Sequence, residues 1–185
     1  MSTHVPDTFY QTYRPRLHRQ IARELGLARR VVDIGCGDCT LAGILSKAAQ
    51  QEVTGVDLNG HGFPRQSGPA PKRRCVEADA RSLGFLVRRS VDAVVSVSAL
   101  HEFAGPMAAL REARKILRSG GEILIVDFPR GSLAQRLWSE RYYTTGEVGD
   151  MLKRAGFVRV ESKRIARRQL TWARGFKALK HGSSR

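Results

Sequence analysis

Two carboxylates flank a glycine turn near the start of the chain, and a third follows at a characteristic spacing. The segment Asp33-Ile-Gly-Cys-Gly-Asp38 places an acid on each side of Gly35 and Gly37. The two glycines allow the backbone to approach a ligand where a side chain would collide. Asp57 follows about 20 residues later, the spacing of a carboxylate that accepts both ribose hydroxyls. This pattern predicts an adenosine-containing ligand.

The charges at this turn select among adenosine derivatives. A dinucleotide brings a pyrophosphate, which prefers bare amide groups and is repelled by carboxylates. Asp33 and Asp38 would repel a pyrophosphate but attract an ammonium and a sulfonium. Thr40 stands where the dinucleotide fingerprint has Gly or Ala. These features favour S-adenosylmethionine as cofactor, with a dehydrogenase-type nucleotide as the alternative.

Strands and helices alternate along most of the chain. Five apolar runs predict strands, at residues 30–34, 52–57, 72–77, 91–97 and 122–127. Helical spacing and end signals predict helices at residues 17–25, 40–50, 80–89, 106–119 and 144–155. The last of these helices has a capping box formed by Thr144 and Glu147.

The chain ends differently. Residues 157–165 and 169–177 are two strand-like runs whose link is too short for a helix, so they must pair antiparallel. The predicted fold is therefore α/β, a Rossmann-like, doubly wound sheet of seven strands that is mostly parallel with an antiparallel C-terminal hairpin edge.

Several segments resemble the motifs of class I S-adenosylmethionine-dependent methyltransferases. Within that group the chain is most similar to quinone-biosynthesis C-methyltransferases and related small-molecule methyltransferases, although Cys39 stands where a third glycine is common. Motif I corresponds to Val31-Val-Asp-Ile-Gly-Cys-Gly-Asp38, and motif II to Thr54-Gly-Val-Asp-Leu58. The adenine-contacting motif corresponds to Val76-Glu-Ala-Asp-Ala80, and motif IV to Val91-Asp-Ala-Val-Val-Ser-Val-Ser98. Residues 109–122 resemble the segment that follows them.

The resemblance implies a set of cofactor contacts. Asp33 would orient the methionine ammonium, Asp57 would hold the ribose and Asp79 would accept the exocyclic amine of adenine. For Asp79 the alternative is an acid that caps its loop. The full implied set is Asp33, Gly35, Cys36, Gly37, Asp57, Leu58, Asp79, Ala80 and Ser96.

The methyl group would emerge just beyond the fourth strand, so the residues there are candidates for acting on the acceptor. His101, next to Glu102 just beyond the fourth strand, is the candidate general base, because a histidine titrates near working pH. Its alternative role is a helix cap or a pocket wall. Tyr142 and Tyr143 precede the capped helix, where this family builds its acceptor pocket; ordinary packing is equally open for both tyrosines.

The domain organisation follows from these motifs. Residues 28–180 form the methyltransferase domain, residues 1–27 a helical segment that packs over the cofactor site, and residues 181–185 a tail. Tyr10 and Tyr13 of the N-terminal segment are placed to close over the cofactor, and ordinary packing is equally open for both.

Net charge leaves the partner open. The chain carries a formal charge of +15, and residues 151–185 hold 11 Lys or Arg against one acid, Glu161. A basic region of this kind suits RNA or an anionic membrane surface, or is a solvated face. The stretch Ser96-Val-Ser-Ala-Leu-His101 lacks the Asn/Asp-Pro-Pro-aromatic motif of base amino-methyltransferases.

Composition excludes several classes. Three cysteines make no disulfide framework, and the Cys36–Cys39 pair has neither a second pair nor nearby histidines to form a metal site, although a redox pair stays open. No metal is expected. The N-terminus lacks a secretory signal, so the expected location is the cytoplasm.

The sequence thus predicts a methyltransferase for a small or lipid-like acceptor. Two alternatives stay open: an RNA or protein methyltransferase that uses the basic C-terminal region, and a non-catalytic regulatory protein that binds S-adenosylmethionine.

Overall fold

The computed structural model describes residues 8–48, 50–65 and 72–179. Seven strands form one sheet: β1 (Arg30–Ile34), β2 (Glu52–Asp57), β3 (Arg73–Glu77), β4 (Val91–Val97), β5 (Leu117–Asp127), β6 (Val158–Ile165) and β7 (Leu170–Phe176). Their order across the sheet is β3-β2-β1-β4-β5-β7-β6. The strands β1 to β5 pair in parallel, and β7 runs antiparallel between β5 and β6. The predicted fold class is confirmed.

Five helices cover the sheet: α1 (Thr8–Glu24), α2 (Thr40–Ala48), α3 (Pro106–Ile116), α4 (Leu133–Trp138) and α5 (Thr145–Arg154). One buried cluster packs α1, α2 and α4 on one face of the sheet, and the other packs α3 and α5 on the opposite face. The capping box of α5 is confirmed, because Thr144 Oγ1 accepts from the Glu147 N–H and Glu147 Oε2 accepts from the Thr144 N–H. Among the described residues, no helix combines the length and apolar character needed to cross a bilayer.

The strand order reverses between β1 and β4. From β1 the chain first builds outward to β2 and β3, and then returns to place β4 on the other side of β1. Loops that leave β1 and β4 therefore diverge to opposite faces, which opens a crevice at the carboxyl ends of these strands. The acidic glycine turn and the His101 segment both begin at this crevice.

One of the predicted helices is absent, and another ends earlier than predicted. Residues 80–89 form turns rather than a helix, with Leu83 fully buried as their anchor. Gly84 and the turn bond from the Ser82 N–H to the Asp79 carbonyl explain the loss of helical structure. The helix predicted to reach residue 119 ends at Ile116, because Leu117 pairs with Val91 and starts β5.

The three cysteines lie together beneath the glycine turn. A disulfide joins Cys39 to Cys75, and the buried free thiol of Cys36 lies with its Sγ 3.4 Å from the Sγ of Cys39. The Cys36–Cys39 pair is therefore not the bonded pair. Gly55 on β2 packs against them, since a Cβ there would lie 2.5 Å from Cys39 Sγ and 2.8 Å from Cys36 Sγ.

This packing predicts the effect of one added methyl group. Gly55→Ala forces sulfur atoms out of a close-packed core, so we expect the free energy of unfolding to fall by about 2 kcal/mol. Gly84→Ala is the control, because nothing lies within 4 Å of a Cβ at that position. Chemical denaturation of both variants tests this, and equal stability of Gly55→Ala and wild type would contradict it.

Candidate functional site

One cavity of about 790 Å³ opens at the carboxyl ends of β1, β2 and β4. It is bordered by the glycine turn, by the ends of β2 and β5 and by the inner face of α1. Most of the residues that the sequence singled out line it, namely Tyr10, Tyr13, Asp33, Gly35, Cys36, Gly37, Asp57, Leu58, Asp79, Ala80, His101, Glu102 and Tyr142.

The glycine turn and Asp57 are joined. Gly35 and Gly37 have φ angles of +72° and +53°, the left-handed region that glycine adopts without strain. The Gly37 N–H donates to Asp57 Oδ2 at 2.8 Å, and the Asn59 N–H donates to Asp57 Oδ1 at 3.1 Å. These bonds hold the carboxylate at the cavity wall, where ribose hydroxyls could reach it.

Asp33 is a buried acid that pairs with no cationic side chain among the described residues. Burial first, and then the nearby carboxylates of Asp57 and Asp38, raise the pKa of Asp33 to about 7. Asp38 itself has a lowered pKa because Thr40 donates hydrogen bonds to its carboxylate. Three carboxylates thus meet around one turn, and a bound cation would relieve their repulsion.

Asp79 lies at the cavity but is also engaged in its loop. Its carboxylate accepts the Arg81 backbone N–H at 2.7 Å and the Arg81 guanidinium at 2.6 to 3.0 Å. These bonds lower the pKa of Asp79. The loop-capping role is therefore present, and both side chains border the same cavity.

Two predicted site residues lie elsewhere. Ser96 is fully buried and does not line the cavity. Val97, on the opposite face of β4, and Ser98, which follows the strand, line the cavity instead. Tyr143 packs against the hydrophobic core and does not line the cavity.

Cys39 does not block the cavity. Its φ is +61°, which explains why a glycine is common at this position, and its side chain is fully buried under the turn.

The helical segment predicted over the cofactor is represented by α1, whereas residues 1–7 and the tail at 181–185 lie outside the described residues.

At the other end of the cavity, His101 is fixed by an acid that the sequence did not single out. His101 lies in a 3₁₀ turn after β4, and its side chain is 3% exposed. Asp127, the last residue of β5, lies with Oδ1 2.7 Å from His101 Nδ1, and its Oδ2 accepts the His101 backbone N–H at 3.0 Å. The signal that could have identified Asp127 is its position: it ends β5, which pairs with β4, so it lies at the same edge of the sheet as His101.

The opposite ring nitrogen faces two glutamates. His101 Nε2 lies 3.0 Å from Glu140 Oε2 and 3.7 Å from Glu102 Oε1. Burial opposes the charged imidazole, but the hydrogen bond and charge of Asp127, with the charges of Glu102 and Glu140, outweigh it and raise the pKa of His101. The Tyr142 hydroxyl donates to Glu140 at 3.0 Å.

The helix α1 adds side chains that sequence reasoning missed. Arg14, Leu17 and His18 line the cavity, and the Tyr10 hydroxyl accepts the Ala134 N–H of α4 at 2.9 Å. Of the two guanidinium groups at the wall, Arg81 binds Asp79, whereas Arg14 forms no ion pair within the described ranges. Arg14 is therefore placed to meet an anionic group of a ligand.

The comparisons with known proteins agree with this geometry. A family model described as "Methyltransferase domain" matches residues 32–125, which include the glycine turn, Asp57 and His101. The chain belongs to the methyltransferase domain family. S-adenosylmethionine is the cofactor expected of this family, as the sequence predicted.

Two of the similar proteins are named for a hydroquinone and for ubiquinone biosynthesis. The chain is 29% identical over 164 residues to the chloroplastic 2-methyl-6-phytyl-1,4-hydroquinone methyltransferase of Arabidopsis thaliana, a match that covers 83% of this chain and 46% of the relative. It is 26% identical to the ubiquinone biosynthesis O-methyltransferase of Ruegeria pomeroyi, with 83% and 73% covered. The chain thus spans less than half the length of the plant relative.

A solved structure has the same fold. The 1,6-didemethyltoxoflavin-N1-methyltransferase of Burkholderia thailandensis, bound to S-adenosylhomocysteine, superposes with a TM-score of 0.66 at 19% identity. The match covers 92% of this chain and 84% of that enzyme. At this identity the likeness concerns the fold of the methyltransferase domain.

The raised pKa of Asp33 predicts a pH effect on the ligand-free protein. Since folding raises the pKa from 3.8 to about 7, the fold favours the protonated acid, and the free energy of unfolding falls as pH rises through this window. Asp33→Asn cannot ionise, so at about pH 8 it should be more stable than wild type by about 1 to 4 kcal/mol.

Denaturant unfolding of the ligand-free proteins between about pH 4 and pH 8 measures this difference. Asp150→Asn, at an exposed position on α5, is the control. Parallel stability curves for Asp33→Asn and wild type would contradict the prediction. The same variant should bind S-adenosylmethionine more weakly, since it loses an anionic partner for the ammonium.

The position of Arg14 predicts a selective loss of cofactor affinity. Arg14→Gln should weaken S-adenosylhomocysteine binding about tenfold, because the methionine carboxylate loses its cation among several acids. Arg16→Gln, exposed on the same helix and away from the cavity wall, should bind normally. Calorimetry with decarboxylated S-adenosylmethionine completes the test: an equal loss for that ligand would show that Arg14 does not contact the carboxylate.

Proposed function

We propose that this protein transfers the methyl group of S-adenosylmethionine to a small-molecule acceptor, and that His101 accepts the proton which the acceptor loses. The observation that carries the proposal is the placement of the His101–Asp127 pair and the acidic glycine turn at two ends of one cavity.

The residues at the turn fit the cofactor. Asp33 and Asp38 would attract its ammonium and sulfonium, Arg14 its carboxylate, and Asp57 its ribose hydroxyls. Leu58 is 68% exposed at the wall and offers an apolar surface that the adenine ring would cover. When bound, the cofactor supplies an electrophilic methyl group, so the protein need only orient the acceptor, exclude water and accept a proton.

Asp127 prepares His101 to accept that proton. Its carboxylate accepts a hydrogen bond from the Nδ1–H of His101 at 2.7 Å. This bond directs Nε2, the other ring nitrogen, toward the side of the cavity where Glu102 and Glu140 lie. The backbone bond between His101 and Asp127 fixes the ring relative to β5. A base that is oriented in this way accelerates proton transfer by about 10² to 10⁴.

Several features support a small acceptor. One relative is named as a hydroquinone methyltransferase and another as a methyltransferase of ubiquinone biosynthesis, and both names refer to small molecules. Residues 128–143, which separate β5 from the capped helix, contain only the six-residue helix α4, so the cap over the acceptor end is small. A small cap also admits a lipid-like acceptor, as the sequence predicted.

The basic C-terminal region does not favour RNA or a membrane surface over a small molecule. Arg174 donates to Glu122 at 2.6 Å, and Lys177 donates to the carbonyls of Arg114 and Leu117 at 2.7 and 2.6 Å. These side chains stabilise the junction of α3 and β5. Part of the positive charge therefore forms contacts within the fold, and an RNA or membrane partner stays a prediction. The cytoplasmic location also stays a prediction.

The acceptor class can be identified directly. Purified protein and S-adenosylmethionine labelled in the methyl group are incubated with a fractionated cell extract, and label is followed into small molecules, RNA and protein. Label in the small-molecule fraction, with release of S-adenosylhomocysteine, supports the proposal. Label in RNA or protein alone would overturn it, and cofactor binding without any transfer would indicate a regulatory protein.

The base predicts a pH profile. Because the pKa of His101 is raised and only the neutral ring accepts a proton, kcat/KM should rise with pH through a value above 6.5. Asp127→Asn removes one cause of the shift, so it should lower kcat and move this rise to lower pH. His101→Ala should reduce kcat about 100-fold or more with little change in cofactor affinity.

His61→Ala is the matched control for these variants, since His61 is exposed in a loop and does not line the cavity. Steady-state kinetics on the identified acceptor provide the measurement. Full turnover by His101→Ala would assign His101 to the pocket wall instead.

A further inference from the structure

We propose that the acceptor is a small amine, which enters as an ammonium ion and is bound by Glu102 and Glu140 beside a wall of aromatic rings. This inference rests on the methyltransferase function proposed above and concerns the acceptor end of the same cavity.

The acceptor end of the cavity carries an excess of negative charge. Three carboxylates, from Glu102, Asp127 and Glu140, surround the single imidazole of His101 at 2.7 to 3.7 Å. Burial raises the pKa of Glu102. When all three carboxylates are ionised, these four side chains keep a net charge of about −2 even with the imidazole protonated. None of the three carboxylates pairs with a lysine or arginine in the described part of the chain.

The cations that line the cavity lie at its other end. Arg81 forms an ion pair with Asp79 in the loop after β3. The charge of Arg14 helps to lower the pKa of Asp38 at the glycine turn. The acidic acceptor end is therefore a local feature in a chain of net charge +15. The cofactor contacts described above do not involve Glu102 or Glu140, which lie beside Nε2 of His101.

Aromatic rings form the rest of this end. The ring centroid of Phe128 lies 4.9 Å from that of Tyr10, 5.3 Å from that of Trp138 and 5.8 Å from that of Tyr142, and all four side chains line the cavity. Aromatic faces attract organic cations, and the attraction strengthens when water is excluded. Carboxylates and rings together favour an ammonium over a neutral hydroxyl or an anionic group.

The transfer balances with the groups at hand. The ammonium gives one proton to Nε2 of neutral His101, and the freed nitrogen lone pair forms a bond to the methyl carbon. The carbon–sulfur bond breaks at the same time, and its electron pair stays on sulfur, which leaves S-adenosylhomocysteine. The product is the N-methylated ammonium ion, which keeps the positive charge that the sulfonium loses, and His101 returns its proton to water before the next turnover.

A divalent metal ion is the competing cation. One ligand atom each from His101, Glu102 and Glu140 lies within 4.8 Å of the others, a separation that a single ion could bridge. The aromatic wall distinguishes the two cases, because rings contribute to the binding of an organic ammonium and offer no ligand atom to a hard metal ion.

The experiment compares two probes of nearly equal shape, 2-phenylethylamine and 2-phenylethanol. Each is titrated by calorimetry into the full-length protein saturated with S-adenosylhomocysteine, at neutral pH, where the amine is protonated. We expect the amine to bind at least about tenfold more tightly than the alcohol. Glu102→Gln and Glu140→Gln should each remove most of that difference and leave the alcohol affinity unchanged.

Glu112→Gln is the control, because Glu112 pairs with Lys115 on α3 and does not line the cavity. Equal affinity for the two probes, absence of binding by both, or an unchanged preference in both glutamine variants would overturn the proposal. Tight binding of MnCl₂ that requires Glu140 and excludes the amine would overturn it in favour of a metal site.

The acceptor inference and the methyltransferase function fail in different ways. Release of S-adenosylhomocysteine with hydroxyl-bearing acceptors, combined with no amine preference, would retain the function and dismiss the amine. Amine binding without any methyl transfer from S-adenosylmethionine would dismiss the function.

Discussion

Acids at the carboxyl edge of a parallel sheet, two of them buried, determine the chemistry of this molecule. Asp33 lies within β1, Asp57 ends β2 and Asp127 ends β5, so parallel strands bring three carboxylates to one edge. An acid that is removed from water keeps its charge only if hydrogen bonds or cations compensate for the lost solvation. Asp57 accepts backbone N–H groups and Asp127 lies against His101. Within the part of the chain that the structure describes, Asp33 has neither kind of partner and holds its proton to about pH 7. The edge is therefore built to receive positive charge.

Packing behind this edge keeps the acids in place. Gly55 of β2 lies against the sulfur atoms of Cys36 and Cys39, so the strand that ends in Asp57 approaches the turn closely. On the open side, the hydroxyl of Tyr10 links α1 to the backbone of α4 and so places a helix across the cavity. The helix α1, which is distant in sequence, thus covers both the cofactor end and the acceptor end of the cavity.

The strands and the cofactor turn were predictable because their signals are local. A buried strand, a glycine turn and an acid after the next strand appear within a short stretch, and each follows from the periodicity of one element. Asp127 was missed because its role depends on the pairing of β5 with β4, which brings it to His101 from 26 residues away. Arg14 was missed for a similar reason: its contribution arises from how α1 crosses the sheet edge, and helical spacing alone leaves it on an ordinary basic face. Ser96 does not line the cavity, because motif resemblance does not specify which residue of a strand end points toward the ligand.

A strongly basic surface and an acidic cavity are compatible in one small domain because they act over different distances. At physiological salt the Debye length is about 8 Å, so exposed lysines and arginines repel a cation in solution only weakly beyond that range. Inside the cavity, Asp33 and Asp127 are nearly inaccessible to water, and their fields are screened far less. A cationic ligand therefore responds to the carboxylates around the turn and around His101 rather than to the net charge of +15. Local burial, not overall charge, determines which ligands this site prefers.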